Sequence, residues 1–308
     1  MMKLQQLRYF TAVYEQGSFS AAAEKANATQ SGLSMHVSQI EKRYDVALFT
    51  RSSSGVTPTE VGRAFYLEAV KVLAAARHAE ERLQALSKSI VGHIYVGLMP
   101  TFTRAVLAPV LLRFAREYPE VRLSISEAYS GTLANEVIEG RLDFAVVPAS
   151  FELNEVLTSR RMGEDRECLV CNADHPVVVN EQGVVLSKMS PLRIVLPGAG
   201  NARRNRIETY LSVNGIEIAE LLELDTMHGT LDIVANSDWV TILPGILCLP
   251  DLDGSKRRVI PLAEPPLMVD YMRIETRKRP LSAAAQAFAD ILQEELNFAL
   301  EIDPISKI

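Results

Sequence analysis

The chain lacks the features that mark secretion, membrane insertion and the common catalytic centres. Its 308 residues include three cysteines, Cys168, Cys171 and Cys248, an odd number that does not suit a secreted disulfide framework. No apolar run reaches the roughly 18 residues of a membrane span, and the opening Met1-Met2-Lys3-Leu4-Gln5-Gln6 has no apolar signal-peptide core. A cytoplasmic protein without membrane contact is expected. Gly-x-Ser-x-Gly elbows, phosphate loops and His-Glu-x-x-His helices are absent. No catalytic residue, metal or cofactor is therefore expected. Cys168-Leu-Val-Cys171 lies in a strand-like segment, where a spacing of three sends the thiols to opposite faces. No second pair completes a zinc site. Pro197-Gly-Ala-Gly200 lacks the Lys-Ser/Thr of a phosphate loop and reads as a turn.

What is present suits an ordinary globular protein of two domains or one large one, with 48% hydrophobic and 23% charged residues. The net charge of −6 argues against a general polyanion binder. The charge is unevenly placed. Residues 1–88 hold 11 Lys+Arg against 8 Asp+Glu, and residues 89–308 hold 21 against 30. A mildly basic front and an acidic rear fit a small nucleic-acid module joined to something else, although chance fluctuation gives the same pattern.

Leu4, Leu7, Phe10 and Val13 mark one face of a helix that ends at Gly17-Ser18. Residues 20–26 form a short Ala-rich helix, and Asn27-Ala28 breaks it. Thr29 is positioned as N-cap of a further helix to about Arg43, with Leu33, Val37 and Ile40 facing inward. Its other face carries Gln30, Ser31, Ser34, Met35 and Ser38, short polar groups able to reach base edges in a major groove. This is a helix-turn-helix pattern. Residues 49–56 read as a hairpin wing, with Arg51 placed for backbone phosphate.

Thr57-Pro58-Thr59-Glu60 reads as a capping box with Thr57 as N-cap, opening a helix from Pro58 to about Lys88. Phe65, Ala69, Val72, Ala76, Ala79, Leu83 and Leu86 alternate steps of four and three, a heptad seam. A small head cannot bury so long a seam, so self-association through this helix is expected. Packing along the chain's own C-terminal domain is the alternative. Two heads at fixed separation would read two half-sites on one face of DNA.

From residue 94 the order strand, helix, strand, helix, strand (94–98, 103–117, 121–125, 133–140, 143–147) implies a parallel sheet with covering helices. Strand patterns resume at 165–180, 192–197 and 240–243, and helices at 203–214 and 228–236. A strand at 268–276 and a helix at 282–299 complete the chain. Two crossings, near 148 and 265, describe two α/β lobes closing on a cleft. Ligands of such sheets sit at the carboxyl ends of strands. Thr101 and Thr103 follow the first strand, Ser130 follows the second, and Asn201 and Arg203 follow the first strong strand of the second lobe. Hydroxyls and free amides at helix starts favour an anion. Phe102 and His228 are further candidates for the cleft lining.

The N-terminal segment resembles the DNA-binding domain of LysR-type transcriptional regulators. The residues that carry the likeness are Ser18-Phe19, Ala22-Ala23, Thr29-Gln30, Leu33-Ser34, Ile40-Glu41, Leu48-Phe49, Arg51, Thr57-Pro58 and Gly62, without a gap. Tyr118-Pro119-Glu120-Val121 and Leu142-Asp143-Phe144-Ala145 extend it into the second domain. The resemblance implies that Gln30, Ser31 and Ser34 lie at the DNA, that the long helix links a dimer, and that Thr101, Ser130 and Asn201 contact an inducer. Where the family usually has Arg-Gln, this chain has Met35-His36, so its target sequence is expected to differ. The fold expected is an N-terminal all-α winged helix-turn-helix (1–58), a dimerisation linker helix (59–88), and an α/β two-lobed, periplasmic-binding-protein-like effector domain (89–308). Lobe I would be 89–148 with 265–308, and lobe II 149–264. The partners expected are double-stranded DNA, a small and anionic effector, and further copies in a homodimer or homotetramer, with RNA polymerase a further candidate. An enzyme with a regulatory head and an effector-free architectural protein are the rival classes.

Overall fold

The computed structural model describes residues 2–52, 55–85, 90–149, 155–199 and 201–302, with only the backbone at residues 51, 52, 78 and 81–85. The chain divides into two compact units, the first reaching residue 89 and the second starting at Ile90.

The first unit runs α1 (Leu4–Gln16), α2 (Phe19–Lys25), α3 (Gln30–Tyr44), β1 (Phe49–Ser52), β2 (Gly55–Pro58) and α4 (Glu60–Ala85). Gly17 closes α1 in the left-handed conformation (φ 58°), and its N–H returns to the Val13 carbonyl at 3.0 Å. Ser18 and Thr29 cap α2 and α3 through their hydroxyls. Leu7, Phe10, Val13, Leu33, Val37, Ile40, Leu48 and Tyr66 meet in one core. Thr59, not Thr57, opens α4: Thr57 and Pro58 are held in β2 against Thr50 and Phe49, and Thr59 Oγ1 accepts the Gly62 N–H at 2.9 Å. A Cβ on Gly62 would sit 2.1 Å from the Leu48 carbonyl oxygen, so only glycine fits there.

The expected seam on α4 is divided. Phe65 and Ala69 pack into the core of the first unit, with the Phe65 ring centroid 4.8 Å from that of Phe10. They are occupied at home, because α1 covers the first turns of α4. Val72 (46% exposed) and Ala79 face solvent, and Ala76 is half-buried. Leu83 is described by its backbone alone, and Leu86 lies outside the described residues.

The second unit opens with β3 (Gly92–Leu98), α5 (Pro100–Ala105), α6 (Leu107–Glu117), β4 (Val121–Glu127), α7 (Ser130–Glu139) and β5 (Phe144–Pro148). β6 (Leu157–Asn172), β7 (Leu192–Leu196), α8 (Ala202–Val213), β8 (Ile218–Glu223), α9 (Met227–Ala235) and β9 (Thr241–Pro244) follow. The series ends with β10 (Arg257–Pro261), β11 (Met268–Thr276) and α10 (Ala283–Leu300). β3 pairs in parallel with β4 and β5, the expected β-α-β arrangement. The expected helix at 103–117 is two helices, α5 and α6, meeting at Val106.

One long strand, β6, serves both lobes. Its residues 157–166 pair antiparallel with β11 in the lobe I sheet, and residues 167–172 pair with β9 and β10 in lobe II. The first crossing therefore falls at Arg166-Glu167 rather than near 148, because the sheet of lobe I takes in half of this strand. The return crossing lies between β10 and β11, as expected. Each lobe has its own apolar packing, around Phe102, Phe114, Phe144 and Phe288 in lobe I and around Ile194, Ile207 and Ile242 in lobe II.

Candidate functional site

The face of α3 away from the core carries the residues expected at DNA. Gln30, Ser31 and Met35 are exposed, Met35 by 52%, and Ser34 and Ser38 are half-exposed. Buried Leu33, Val37 and Ile40 fix this orientation, since they occupy the opposite side of the same turns. His36 turns inward against Tyr9, with ring centroids 5.2 Å apart. Arg51 lies on β1 opposite Val56; its side chain is outside what is described.

Between the two lobes of the second unit, adjoining cavities are lined by described residues. An inner pocket of about 60 Å³ is lined by Thr101 and Ser130 from lobe I and by Glu167, Asn201, Arg203 and Arg206 from the lobe II side, with Tyr271 at its floor. An outer chamber of about 630 Å³ is lined by Thr103, Arg104, Glu127, Tyr129, Asp225 and His228. Pro100, Tyr129 and Met227 border both. The topology explains the convergence. The carboxyl end of β3 delivers residues 99–103, that of β4 delivers 127–130, and the starts of α8 and α9 approach from lobe II.

Six of the seven expected effector residues line these cavities. Phe102 does not: it is fully buried in the lobe I core, edge-on to Tyr271 at 4.9 Å. Its neighbours on α5 take the cleft side, and an aromatic ring gains most by burial. Asn201 is already engaged as the α8 cap, its Oδ1 accepting the Arg203 N–H at 2.9 Å. Arg203 is also committed. It donates to both Glu167 oxygens at 2.9 and 2.6 Å and to the Ile242 carbonyl at 2.6 Å. Burial alone would lower the Arg203 pKa, but the Glu167 carboxylate outweighs it and holds the guanidinium above its ordinary value.

Glu167 and Arg206 are cleft residues that escaped sequence reading. Glu167 (1% exposed) neutralises Arg203. Arg206 lies one turn beyond Arg203 and lines the inner pocket without a hydrogen bond or ion pair to any described residue. Thr101, only 8% exposed, likewise has no hydrogen-bond partner for its hydroxyl among the described residues. Beneath the floor, Asp165 accepts from the Tyr271 hydroxyl at 2.9 Å, the Ile246 N–H at 3.0 Å and the Arg166 N–H at 2.7 Å. Burial still pushes its carboxyl up to about 6.

The thiols do not form a metal centre. Cys168 and Cys171 fall into different apolar clusters on opposite faces of β6, and all three cysteines are buried and free. Among the described residues no group of three or more His, Cys, Asp or Glu could hold a metal, and no helix is long and apolar enough to cross a membrane.

A family model for the LysR substrate binding domain matches residues 87–297, and one for the bacterial regulatory helix-turn-helix proteins of the lysR family matches residues 4–63. The chain belongs to the LysR family. It is a LysR-type DNA-binding transcriptional regulator with an effector-binding domain. It is 26% identical over 292 residues to the nitrogen assimilation regulatory protein nac of Klebsiella aerogenes, covering 94% of each chain. Its fold is shared with full-length OxyR from Pseudomonas aeruginosa, at TM-score 0.71 and 21% identity over 96% of this chain and 95% of that one. It is shared too with full-length CbnR in complex with its target DNA, at TM-score 0.67 and 16% identity over 96% and 100% of the two chains.

Proposed function

We propose that this LysR-type regulator is controlled by a small anionic effector bound between its lobes. The observation that carries the reading is the pairing of Thr101, 8% exposed and with no hydrogen-bond partner for its hydroxyl among the described residues, with a guanidinium, Arg206, that has no partner among the described residues either, both lining one pocket. Ser130 lies at the start of α7, whose first-turn amides have no acceptor inside the helix and add a positive end. A carboxylate would bridge Thr101 and Ser130 of lobe I to Arg206 of lobe II. Contacts made to both lobes at once exist only in a closed state, which gives the effector the differential affinity it needs to shift the balance. An open cleft bearing hydroxyls favours this reading over an effector-free architectural protein.

The head reads DNA through Gln30, Ser31, Ser34, Met35 and Ser38, with Arg51 on backbone phosphate. One recognition helix reads few bases, so two or four copies act together, joined through the part of α4 beyond Ala69. Exposed Val72 and Ala79 support that part of the helix as the seam.

A thermal-shift screen of the full chain against small aliphatic and aromatic acids tests the effector reading. A bound acid at a hundredfold excess over its Kd stabilises by about 2.7 kcal/mol. The shift should disappear in Arg206→Gln and shrink in Thr101→Val. Acids that give equal shifts in wild type and both variants, or no shift at all, would remove the inner pocket from the account.

A further inference from the structure

The two cavities differ in charge once internal ion pairs are set aside. In the inner pocket Glu167 and Arg203 neutralise each other, which leaves the Arg206 cation. In the outer chamber Asp251 is shared by Arg104 at 2.8 Å and Arg257 at 2.6 Å, a trio of net charge +1, so the two carboxylates that line the chamber, Glu127 and Asp225, leave it net negative by one charge. Neither makes an ion pair with any described residue. Glu127 accepts from the Thr103 hydroxyl and Asp225 Oδ1 from the Gly198 N–H at 2.9 Å, neutral donors that leave both charges in place. Glu127 ends β4 in lobe I and Asp225 precedes α9 in lobe II, so the two carboxylates line one chamber from opposite lobes.

Tyr129 marks the boundary. It borders both cavities, and its hydroxyl donates to the Asp225 carbonyl oxygen at 3.3 Å, across the lobes. Burial first, then the charges of Asp225 and Glu127, raise the Tyr129 pKa, while Arg203 pulls it down.

We propose that the effector is zwitterionic, with its carboxylate at Thr101 and Arg206 and a primary ammonium between Glu127 and Asp225, as an amino acid or related amino-carboxylic compound would place them. This rests on the cleft being the effector site, and adds the class of molecule. Thr101, 8% exposed, lines the inner pocket with no hydrogen-bond partner for its hydroxyl among the described residues, an observation independent of the acidic pair. A metal ion suits the outer chamber poorly, since no group of three metal-binding side chains occurs among the described residues. An ammonium brings three donors that one or two carboxylates can share. The same geometry couples binding to closure. Two like charges lining one chamber from opposite lobes resist approach, and a cation held between them would turn that repulsion into attraction on both sides.

The test is titration calorimetry of the full chain with matched pairs that differ only at the amino group. These are the common L-amino acids against their 2-oxo and deaminated counterparts. At least one amino acid should bind tenfold or more tightly than its counterparts. In Glu127→Gln that preference should vanish, with amino-acid binding weakened tenfold or more and the deaminated acid bound as well as before or better. Deaminated acids that bind wild type as well as the amino acids would overturn the zwitterion and leave the anionic-effector reading standing. If neither series binds, both fall. Should Glu127→Gln not fold, the matched pairs on wild type decide alone.

Discussion

Replacing Glu167 by Gln tests the ion pair at the base of the cleft. Glu167 is buried, and both of its oxygens accept from Arg203. Glutamine keeps one acceptor but turns its NH2 donor toward a guanidinium that can only donate. Arg203 would retain the Ile242 carbonyl and lose its only countercharge among the described residues. Breaking a buried pair by removing one partner costs about 3–5 kcal/mol. Arg203 keeps some contact with the pocket, with 20% side-chain exposure, so the lower end, about 3 kcal/mol, is expected. For a domain of this size that lowers Tm by roughly 6–12 °C. The single tryptophan of the chain, Trp239, belongs to lobe II and lies under Arg193 at 4.8 Å, so its fluorescence reports unfolding of the lobe that holds the pair. The double variant Glu167→Gln with Arg203→Met should recover most of the loss, since removing both charges also removes their desolvation. A Glu167→Gln Tm within 2 °C of wild type, on the order of a kilocalorie or less, would refute the reasoning, as would a double variant less stable than the single.

Gly62→Ala should destabilise the head by about 1–3 kcal/mol, because the added methyl meets the Leu48 carbonyl; thermal unfolding followed by helical circular dichroism measures it. Ser34→Ala should narrow the gap between operator and random DNA by about 1 kcal/mol or more in anisotropy titrations, and wild-type affinity should fall steeply as salt rises. Asp165 makes stability depend on pH in a set direction. Its folded pKa, about 6, lies above the ordinary value, so the folded state binds the extra proton, and this group's contribution is lost as pH rises from about 4 to 6. The Tm difference between wild type and Asp165→Asn should change in that window and be level above it.

The head was legible in the sequence almost residue by residue. Its signals are local: the Thr29 cap, the Leu33-Val37-Ile40 stripe and the chain break at Gly17-Ser18 depend on neighbours within one turn or two. The parts misread depend on what other segments do. The Thr57 cap failed because Thr50 and Phe49, across the hairpin, recruit Thr57 and Pro58 into a strand. The α4 seam failed at Phe65 and Ala69 because α1 uses the same apolar face. β8 escaped notice because Ile218–Glu223 is mostly exposed and lacks an alternating pattern, while β10 opens with two arginines, one of them buried against Asp251. In the cleft, strand ends pointed to Thr101, Thr103 and Ser130. Glu167 and Arg206 carried no such signal. The first is one more acidic residue in a charged stretch, and the second is one of three arginines in four positions, told apart only by which of them meets Glu167.

Hydrogen exchange of the full chain, with and without the acid or amino acid that gives the largest thermal shift, tests occupancy of the cleft most directly. The account predicts slowed exchange at the first turns of α7, α8 and α9, where the two lobes face the cavities. Unchanged exchange at all three, with protection appearing elsewhere in the chain, would contradict it.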